Sequence, residues 1–283
     1  MKLMVGLPWY QPDGDTFPVN LDMMMYLGAL QERSRWKAKG YNDDLPPLDQ
    51  SGEDPLADPT EEDWARMAEL EIMGSNYSRL SLVGKARELI VEMALEWGAD
   101  YLFWWDADMR MQHSTFLRLW RHDVPAVGAL AFTARDPIHP VIYKVEKRLD
   151  PLSGMDLIEN SEIVLDYPRE KLISSSDFGG AQLAGGGAAV LYNMDVFKEI
   201  PQPWFTSTGC GEDWFFCNRL AEYNIPYHID TGVKTQHKKH SPLWADENTY
   251  DQSREAMPEQ YEALSNGKPH GWNAKDQKKL EVV

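Results

Sequence analysis

Two pairs of carboxylates are the residues of this chain whose types and spacing could do chemistry. The first pair, Asp106 and Asp108, directly follows the apolar run Tyr101–Trp105. Five large apolar residues in succession predict a strand buried on both faces, as in parallel sheets covered by helices. Ligands of such sheets gather beyond the carboxyl ends of the strands. Two acids placed there repel each other unless a cation lies between them, and such oxygen ligands suit Mg²⁺ or Mn²⁺.

The second pair, Glu212 and Asp213, precedes a segment that predicts a helix ending near Tyr223. Acids at the start of a helix interact favourably with its dipole, so helix capping is one explanation for this pair. The other is that one carboxylate acts as a general base. The first pair has a similar alternative, in which one aspartate caps the next helix and the other is simply solvated.

The order of these blocks along the chain resembles that of GT-A nucleotide-sugar glycosyltransferases, particularly the large family 2-like group. No single block is specific, and the resemblance, which covers roughly residues 1 to 240, rests on their order. The blocks are Ala86-Arg87, Asp106-Ala107-Asp108, Gly185-Gly186-Gly187, Glu212-Asp213-Trp214 and His237.

The resemblance implies an α/β fold of the GT-A-like, Rossmann-like type, with a mixed, mostly parallel central sheet and helices on both faces. It implies a metal-dependent, hexosyltransferase-like enzyme that uses Mn²⁺ or Mg²⁺. Such an enzyme moves a sugar from a nucleoside diphosphate sugar, with a UDP-sugar favoured, to a hydroxyl acceptor on a saccharide, a protein or a small molecule. Inversion at the anomeric carbon is expected.

The resemblance also implies a division of labour among the acidic residues. Asp108 is the direct metal ligand, His237 completes the metal site, and Asp106 contacts the ribose, a metal-bound water or the metal itself. Asp213 is the general base, and Glu212 orients it or the acceptor. The reverse assignment of these last two roles stays open.

Further residues are implied to contact the two substrates. The nucleotide-sugar-binding candidates are Pro8, Trp9, Tyr10, Arg79, Arg87 and Asp106. The acceptor-side candidates are Gly186, Gly187 and Trp214. A guanidinium binds diphosphate oxygens bidentately, but a surface ion pair is the alternative for both arginines. Trp9 has core packing as its alternative, and the glycines have a sheet bend without functional contact.

The apolar stripe of the helix predicted over residues 86–97 leaves Arg87 off its packed face. Glu88 stands where the family often has asparagine, which leaves recognition of the donor open. Other segments predict a first strand at 3–7, a helix at 21–36, a short helix around 116–120 and an apolar strand at 124–132. Two further strands, at 141–145 and 163–167, predict a small mixed or antiparallel part of the sheet.

The segment 41–63 has nine acidic residues, no basic residue and four prolines. Self-repulsion and the prolines predict an extended, mobile insertion rather than a core element. The chain is therefore expected to be one domain over 1–240, interrupted by this insertion. A polar extension over 241–283 is expected to wrap around that domain.

The overall charge excludes some functions. With 28 basic and 45 acidic residues, the net charge of -17 opposes a broad hold on nucleic-acid phosphates. The two cysteines, Cys210 and Cys217, make neither a disulfide framework nor a paired metal-ligand pattern. No apolar run approaches the length of a transmembrane segment, and a cytoplasmic protein is expected.

Two other functions fit the same fold. One is nucleotidyl transfer at a similar site, whose marker is a glycine-rich loop with Arg or Lys after the first strand; the residues Pro8-Trp9-Tyr10-Gln11 lack it. The other is a noncatalytic module that binds a sugar nucleotide or a protein. The presence of both acid pairs argues against that module.

Overall fold

The computed structural model describes residues 1–7, 17–39, 59–76, 83–134, 136–149, 156–206, 211–240 and 243–266. Four candidate nucleotide-binding residues, Pro8, Trp9, Tyr10 and Arg79, lie outside these ranges. Most of the acidic segment, the thiol of Cys210 and the last part of the C-terminal extension also lie outside them.

The described residues form twelve strands and eight α-helices, with one short 3₁₀ helix at Ser175–Phe178. The strands are β1 (Lys2–Leu7), β2 (Glu71–Asn76), β3 (Tyr101–Trp105), β4 (Met109–Met111), β5 (Ala126–Leu130), β6 (Ile142–Leu149), β7 (Asp156–Ile163), β8 (Leu172–Ile173), β9 (Gln182–Gly185), β10 (Ala189–Asn193), β11 (Tyr227–His240) and β12 (Leu243–Ala245). The helices are α1 (Phe17–Ala38), α2 (Glu61–Ala68), α3 (Val83–Trp97), α4 (Thr115–Arg121), α5 (Asp195–Glu199), α6 (Glu212–Glu222), α7 (Glu247–Ala256) and α8 (Pro258–Ser265).

The central sheet has the strand order β12-β11-β5-β10-β3-β1-β2, and β4 and β8 both pair with β11. The pairs β1–β2, β1–β3 and β5–β11 are parallel, whereas β10 runs antiparallel to both of its neighbours. Five of the six strands from β11 to β2 therefore point in one direction. The predicted mixed, mostly parallel sheet is confirmed.

Helices cover both faces of this sheet because its central strands are apolar on both sides. Met4 and Trp104 pack with residues of α3 in one core cluster. Val5 and Phe103, their neighbours in sequence, pack with α1, α2 and α4 in the other. Alternate residues of a strand point to opposite faces, so β1 and β3 supply both clusters. The expected arrangement of helices on both faces is confirmed, and β3 is buried on both faces from Leu102 to Trp105.

The smaller sheet is separate from the central one and has the order β7-β6-β9, all antiparallel. The predicted strand at 141–145 lies in β6, but the strand predicted at 163–167 is wrong, because β7 ends at Ile163. After Val164 the chain packs against α7, and the Leu165 carbonyl accepts a hydrogen bond from the Tyr250 hydroxyl at 2.7 Å. The apolar residues of 164–167 are therefore buried against α7 without pairing as a strand.

The acidic segment ends in a helix that packs on the core, contrary to the expectation for 41–63. Thr60 and Asp63 form a capping box at the start of α2, and acids in a first turn favour a helix. The Asp63 carboxylate is only 2% exposed, and Arg121 of α4 binds it at 2.5 Å. The last three residues of the segment thus belong to a folded element.

Residues 243–266 continue the domain. Strand β12 pairs with β11, and Tyr250, Tyr261 and Leu264 of the two last helices are buried in the same core cluster as α3. Among the described residues, no helix combines the length and the apolar character needed to cross a bilayer.

Asp63 is expected to stabilise α2 through its charge. Burial raises its pKa, but hydrogen bonds from Arg121 and Thr60 outweigh burial and hold the pKa below the ordinary 3.8. The stabilisation is therefore present above about pH 3.8 and is lost as the pH falls through the lower folded-state pKa. Asp63→Ala should lose about 2–3 kcal/mol at pH 7, because it removes a cap and the partner of Arg121.

Urea denaturation at pH 7 and at pH 3 measures this effect. The difference in the free energy of unfolding between wild type and Asp63→Ala should be smaller at pH 3 than at pH 7. Glu61→Gln is the control, because Glu61 pairs with Lys37 at the same end of α2 but is 90% exposed, and it should change stability by less than about 0.5 kcal/mol. Equal effects of the two substitutions would contradict the prediction.

Candidate functional site

The first acid pair lies where strands β3 and β4 are joined. Asp106 follows β3, and its backbone N–H donates to the carbonyl of Ala188 at 2.9 Å. Two residues later, Asp108 precedes β4, which pairs antiparallel with β11. In that register His237 is opposite Met109, so the long strand β11 brings a histidine to the carboxyl end of β3.

Asp108 and His237 form a polar pair at this end of the sheet. The His237 Nε2 lies 3.2 Å from Asp108 Oδ2, and its Nδ1 donates to the Phe132 carbonyl at 2.8 Å. Burial lowers the pKa of His237, but the bond to Asp108 outweighs burial and raises it. Conversely, burial raises the pKa of Asp108, and the bond from His237 holds it below its ordinary value. Both pKa shifts favour the charged forms, a protonated His237 and an ionised Asp108, and therefore an ion pair between them.

Arg87 lies inside the protein, where the apolar stripe of α3 did not place it. Its side chain is 1% exposed, and its Nη2 binds both carboxylate oxygens of Asp106, at 2.9 and 3.1 Å. Its Nη1 donates to the Gly187 carbonyl at 3.2 Å, and its Nε lies 3.5 Å from Glu212 Oε1. The guanidinium also lies over the ring of Trp104. A surface ion pair is therefore wrong for Arg87, because its guanidinium is buried and its partner Asp106 is partly buried.

The environment of Asp106 disfavours its charge. Burial raises the pKa of Asp106 to about 7, in spite of Arg87, and the neighbouring carboxylates add to the rise. Burial lowers the pKa of Arg87, but Asp106 and Glu212 outweigh burial and raise it. Both carboxylate oxygens of Asp106 accept hydrogen bonds from Arg87, whereas the side chain of Asp108 is half-exposed to solvent.

The glycine block connects the two acid pairs. The carbonyl of Gly187 accepts from Arg87, and its N–H donates to Asp213 Oδ2 at 3.0 Å. A Cβ on Gly187 would lie 2.8 Å from the Arg87 guanidinium, and a Cβ on Gly186 would lie 3.2 Å from Val141. This loop is therefore in contact with candidate site residues rather than being a bend remote from them.

The second acid pair begins helix α6. The N-cap residue is Gly211, whose φ of 93° favours glycine, and no side chain caps the helix there. Asp213 Oδ1 accepts the N–H of Trp214 at 2.9 Å, while its other oxygen accepts that of Gly187. Asp213 thus satisfies one N–H of the first turn, as the capping explanation expects, and also holds the glycine loop.

Two residues near the site have no counterpart among the sequence candidates. Glu88 accepts the backbone N–H groups of Trp204 and Phe205, so it anchors the chain that leads to α6. Burial raises its pKa. Tyr143 of β6 lies edge-to-face with Trp214, with ring centroids 4.8 Å apart. The sequence did draw attention to Glu88, because it stands where the family often has asparagine. Nothing in the sequence singled out Tyr143, which is one tyrosine in a predicted strand.

A divalent metal has two suitable ligands here. Within the described ranges, no three His, Cys, Asp or Glu side chains are arranged to hold a metal ion. Asp108 and His237 are adjacent, and the Nδ1–H bond to Phe132 fixes the ring so that Nε2 faces the carboxylate. Because Mg²⁺ and related ions bind through one or two protein groups plus substrate phosphates, this pair fits such an ion.

Comparison with known proteins gives only distant likenesses. No family model matches the chain. No curated protein sequence matches it either. Among solved structures it is similar to A197 from STIV, with 15% identity and a TM-score of 0.42 over 63% of this chain and 78% of that one.

Two further solved structures are similar over most of this chain. A UDP-glucose pyrophosphorylase in complex with UDP-glucose has 10% identity and a TM-score of 0.39, covering 92% of this chain and 100% of that one. A CMP:2-keto-3-deoxy-manno-octonic acid synthetase complexed with CTP has 13% identity and a TM-score of 0.37, covering 92% and 98%. These likenesses are too distant to assign a reaction or a substrate.

A methyl group at Gly187 should disturb the link between the acid pairs. Gly187→Ala places its Cβ against the guanidinium that holds Asp106, and overpacking of this kind loses roughly 1–3 kcal/mol. Gly28→Ala is the matched control, because Gly28 is at an exposed position of α1 with nothing within 4 Å of the new Cβ, and this variant should be as stable as wild type or more stable. Urea denaturation measures both, and a Gly187→Ala variant as stable as wild type would contradict the described packing.

Proposed function

We propose that this protein is a metal-dependent glycosyltransferase that moves a sugar, with inversion, from a nucleoside diphosphate sugar to a hydroxyl acceptor. A UDP-sugar is the favoured donor. The observation that carries the proposal is that both acid pairs meet at one end of the central sheet. There Arg87 binds Asp106 and contacts Glu212, and Gly187 joins Arg87 to Asp213.

Donor binding is assigned to the carboxyl end of β3. Asp108 and His237 would hold Mn²⁺ or Mg²⁺, which when bound neutralises the charge of the departing diphosphate. Asp106, held in place by Arg87, would contact the ribose or a metal-bound water. Arg87 itself is buried and engaged with the protein, so its part is to position Asp106 rather than to bind the diphosphate directly.

Proton transfer is assigned to the start of α6. Each oxygen of Asp213 accepts one backbone N–H and retains lone-pair capacity for the proton of an acceptor hydroxyl. The fixed donors orient the carboxylate, which suits a general base because such a group must lie within hydrogen-bond reach of its proton. Glu212, beside Arg87, would support this orientation.

The competing functions have distinct products. Nucleotidyl transfer would release pyrophosphate from a nucleoside triphosphate, whereas glycosyl transfer releases a nucleoside diphosphate from its sugar. A noncatalytic module would bind the sugar nucleotide and release neither. Assaying these products with UDP-sugars and with nucleoside triphosphates plus sugar phosphates therefore separates the three functions.

The metal assignment predicts that UDP raises the melting temperature only, or much more, with Mn²⁺ or Mg²⁺. The reason is that the acid pairs otherwise repel a diphosphate, and binding to the native state adds stability by mass action. Asp108→Asn should abolish most of this increase, while Asp213→Asn should keep it. Thermal melts with UDP, with and without excess chelator, measure this; equal stabilisation in the chelator would exclude the metal site.

The base assignment predicts a loss of turnover in Asp213→Asn of about 10²-fold or more. An asparagine can keep only one of the two backbone hydrogen bonds, so the variant should also lose roughly 1 kcal/mol of stability. Asp195→Asn, at the exposed start of α5, is the control and should keep wild-type turnover. UDP release from a panel of UDP-sugars and acceptors measures turnover. A folded Asp213→Asn variant with wild-type turnover would transfer the base assignment to Glu212.

A further inference from the structure

Two half-buried aromatic rings lie next to the proposed base, each on a different layer of the fold. Trp214 follows Asp213 in α6, and Tyr143 comes from the small antiparallel sheet. Their rings are nearly perpendicular, at 88°, with centroids 4.8 Å apart. Both pack against the rim of the core cluster formed with α3 rather than inside it. Part of each ring therefore remains accessible to a ligand.

Each of these two rings carries one polar group, a hydroxyl on Tyr143 and an indole N–H on Trp214. Among the described residues, neither the Tyr143 hydroxyl nor the Trp214 indole N–H has a hydrogen-bond partner. Both residues are only partly buried. Burial, followed by the charge of Asp213, raises the pKa of Tyr143 to about 12, and the phenol therefore stays a donor at neutral pH.

The strand that carries Tyr143 closes on the glycine loop beside Asp213. Tyr143 is in register with Ala184 of β9, which leads directly into that loop. A Cβ on Gly186 would lie 3.2 Å from Val141 and 3.8 Å from Asp213 Oδ2. The backbone of Gly186 thus lies close to both Val141 of the segment leading into β6 and the Asp213 carboxylate, which brings the aromatic pair and the proposed base to the same loop.

We infer that Tyr143 and Trp214 form an acceptor platform, and that the acceptor is a saccharide. A sugar ring has an apolar C–H face bordered by hydroxyls, which matches aromatic faces whose polar ends are free to hydrogen-bond. A sugar on the platform directs one hydroxyl to Asp213. Donor binding is already assigned to Asp106 and Asp108 at the carboxyl end of β3, so a nucleobase is the less suitable occupant of the platform. This inference rests on the proposed function for the role of Asp213.

Saccharide binding can be measured without turnover. Saturation-transfer NMR with methyl glycosides and disaccharides, in the presence of UDP and Mg²⁺, should detect binding to the wild-type protein. Tyr143→Leu should weaken the binding of the best saccharide by about tenfold, the scale of one aromatic contact. Tyr143→Phe keeps the ring and should lose only a few-fold. Tyr223→Leu is the matched control, because Tyr223 packs on the same core at the far end of α6, and it should bind as wild type does.

A turnover assay identifies the class of acceptor. Saccharides should accelerate UDP release from a UDP-sugar above the rate of hydrolysis, whereas serine- and threonine-containing peptides and glycerol should not. Tyr143→Leu should raise the KM for the saccharide about tenfold while the UDP- and Mn²⁺-dependent rise in melting temperature stays unchanged. That unchanged rise also shows that the variant is folded.

The possible outcomes separate the platform from the enzyme activity. Acceleration by peptides or glycerol alone, or wild-type saccharide binding by Tyr143→Leu, overturns the platform even if UDP-sugars are consumed. Loss of UDP binding in Tyr143→Leu would assign the rings to the nucleotide instead. If the wild-type protein binds saccharides on this platform but releases no UDP, the platform stands and the proposed transfer reaction fails.

Discussion

The buried guanidinium of Arg87 is the interaction on which the candidate site depends. Removing such a cation from water is costly, and the cost is offset only when carboxylates and hydrogen-bond acceptors surround it. Asp106, Glu212 and the Gly187 carbonyl meet that requirement from three separate segments of the chain. The same contacts fix the end of β3, the start of α6 and the glycine loop relative to one another.

This arrangement makes the two acid pairs one site. The carbonyl of Gly187 accepts from Arg87 and its N–H donates to Asp213, so the backbone of this one residue contacts a cation through its carbonyl and a carboxylate through its N–H. Next to Arg87 on α3, Glu88 accepts the backbone N–H groups of Trp204 and Phe205, and the ring of Phe205 packs on Trp104, over which the guanidinium lies. Two consecutive residues of α3, Arg87 and Glu88, thus fix different segments of the chain around the candidate site.

Local patterns in the sequence predicted the elements that carry this site. The apolar run of β3, the acids that end it and the acids that begin α6 are short-range signals. The sheet that brings them together was expected from the apolar run of β3 and from the family resemblance. Burial of Arg87 and Glu88 was not predictable in this way. The first turns of α3 are buried almost all around, so a single apolar stripe describes them poorly. The charges that make this burial tolerable come from residues about 20 and 120 positions away.

Long-range contacts explain the other differences as well. From the local sequence, Asp63 is expected in a solvated acidic segment, but in the structure it pairs with Arg121. Residues 164–167 have the pattern of a strand, but the Leu165 carbonyl accepts a hydrogen bond from the Tyr250 hydroxyl instead of pairing in a sheet. The register of the small sheet places Tyr143 beside Trp214, and nothing local to either residue predicts that meeting. In each case the deciding partner lies more than 50 residues away, beyond the reach of periodicity or turn chemistry.

The charge balance of the site is what connects its structure to the proposed chemistry. Four carboxylates, of Asp106, Asp108, Glu212 and Asp213, lie around Arg87 and His237, so even with the imidazole protonated these groups sum to a negative charge. The raised pKa of Asp106, about 7, reflects its burial and this excess of carboxylates. A diphosphate entering such a site would add to the repulsion. A divalent cation between Asp108, His237 and the phosphate oxygens would reverse it, which is why binding of a nucleoside diphosphate and binding of a metal are expected to depend on each other here.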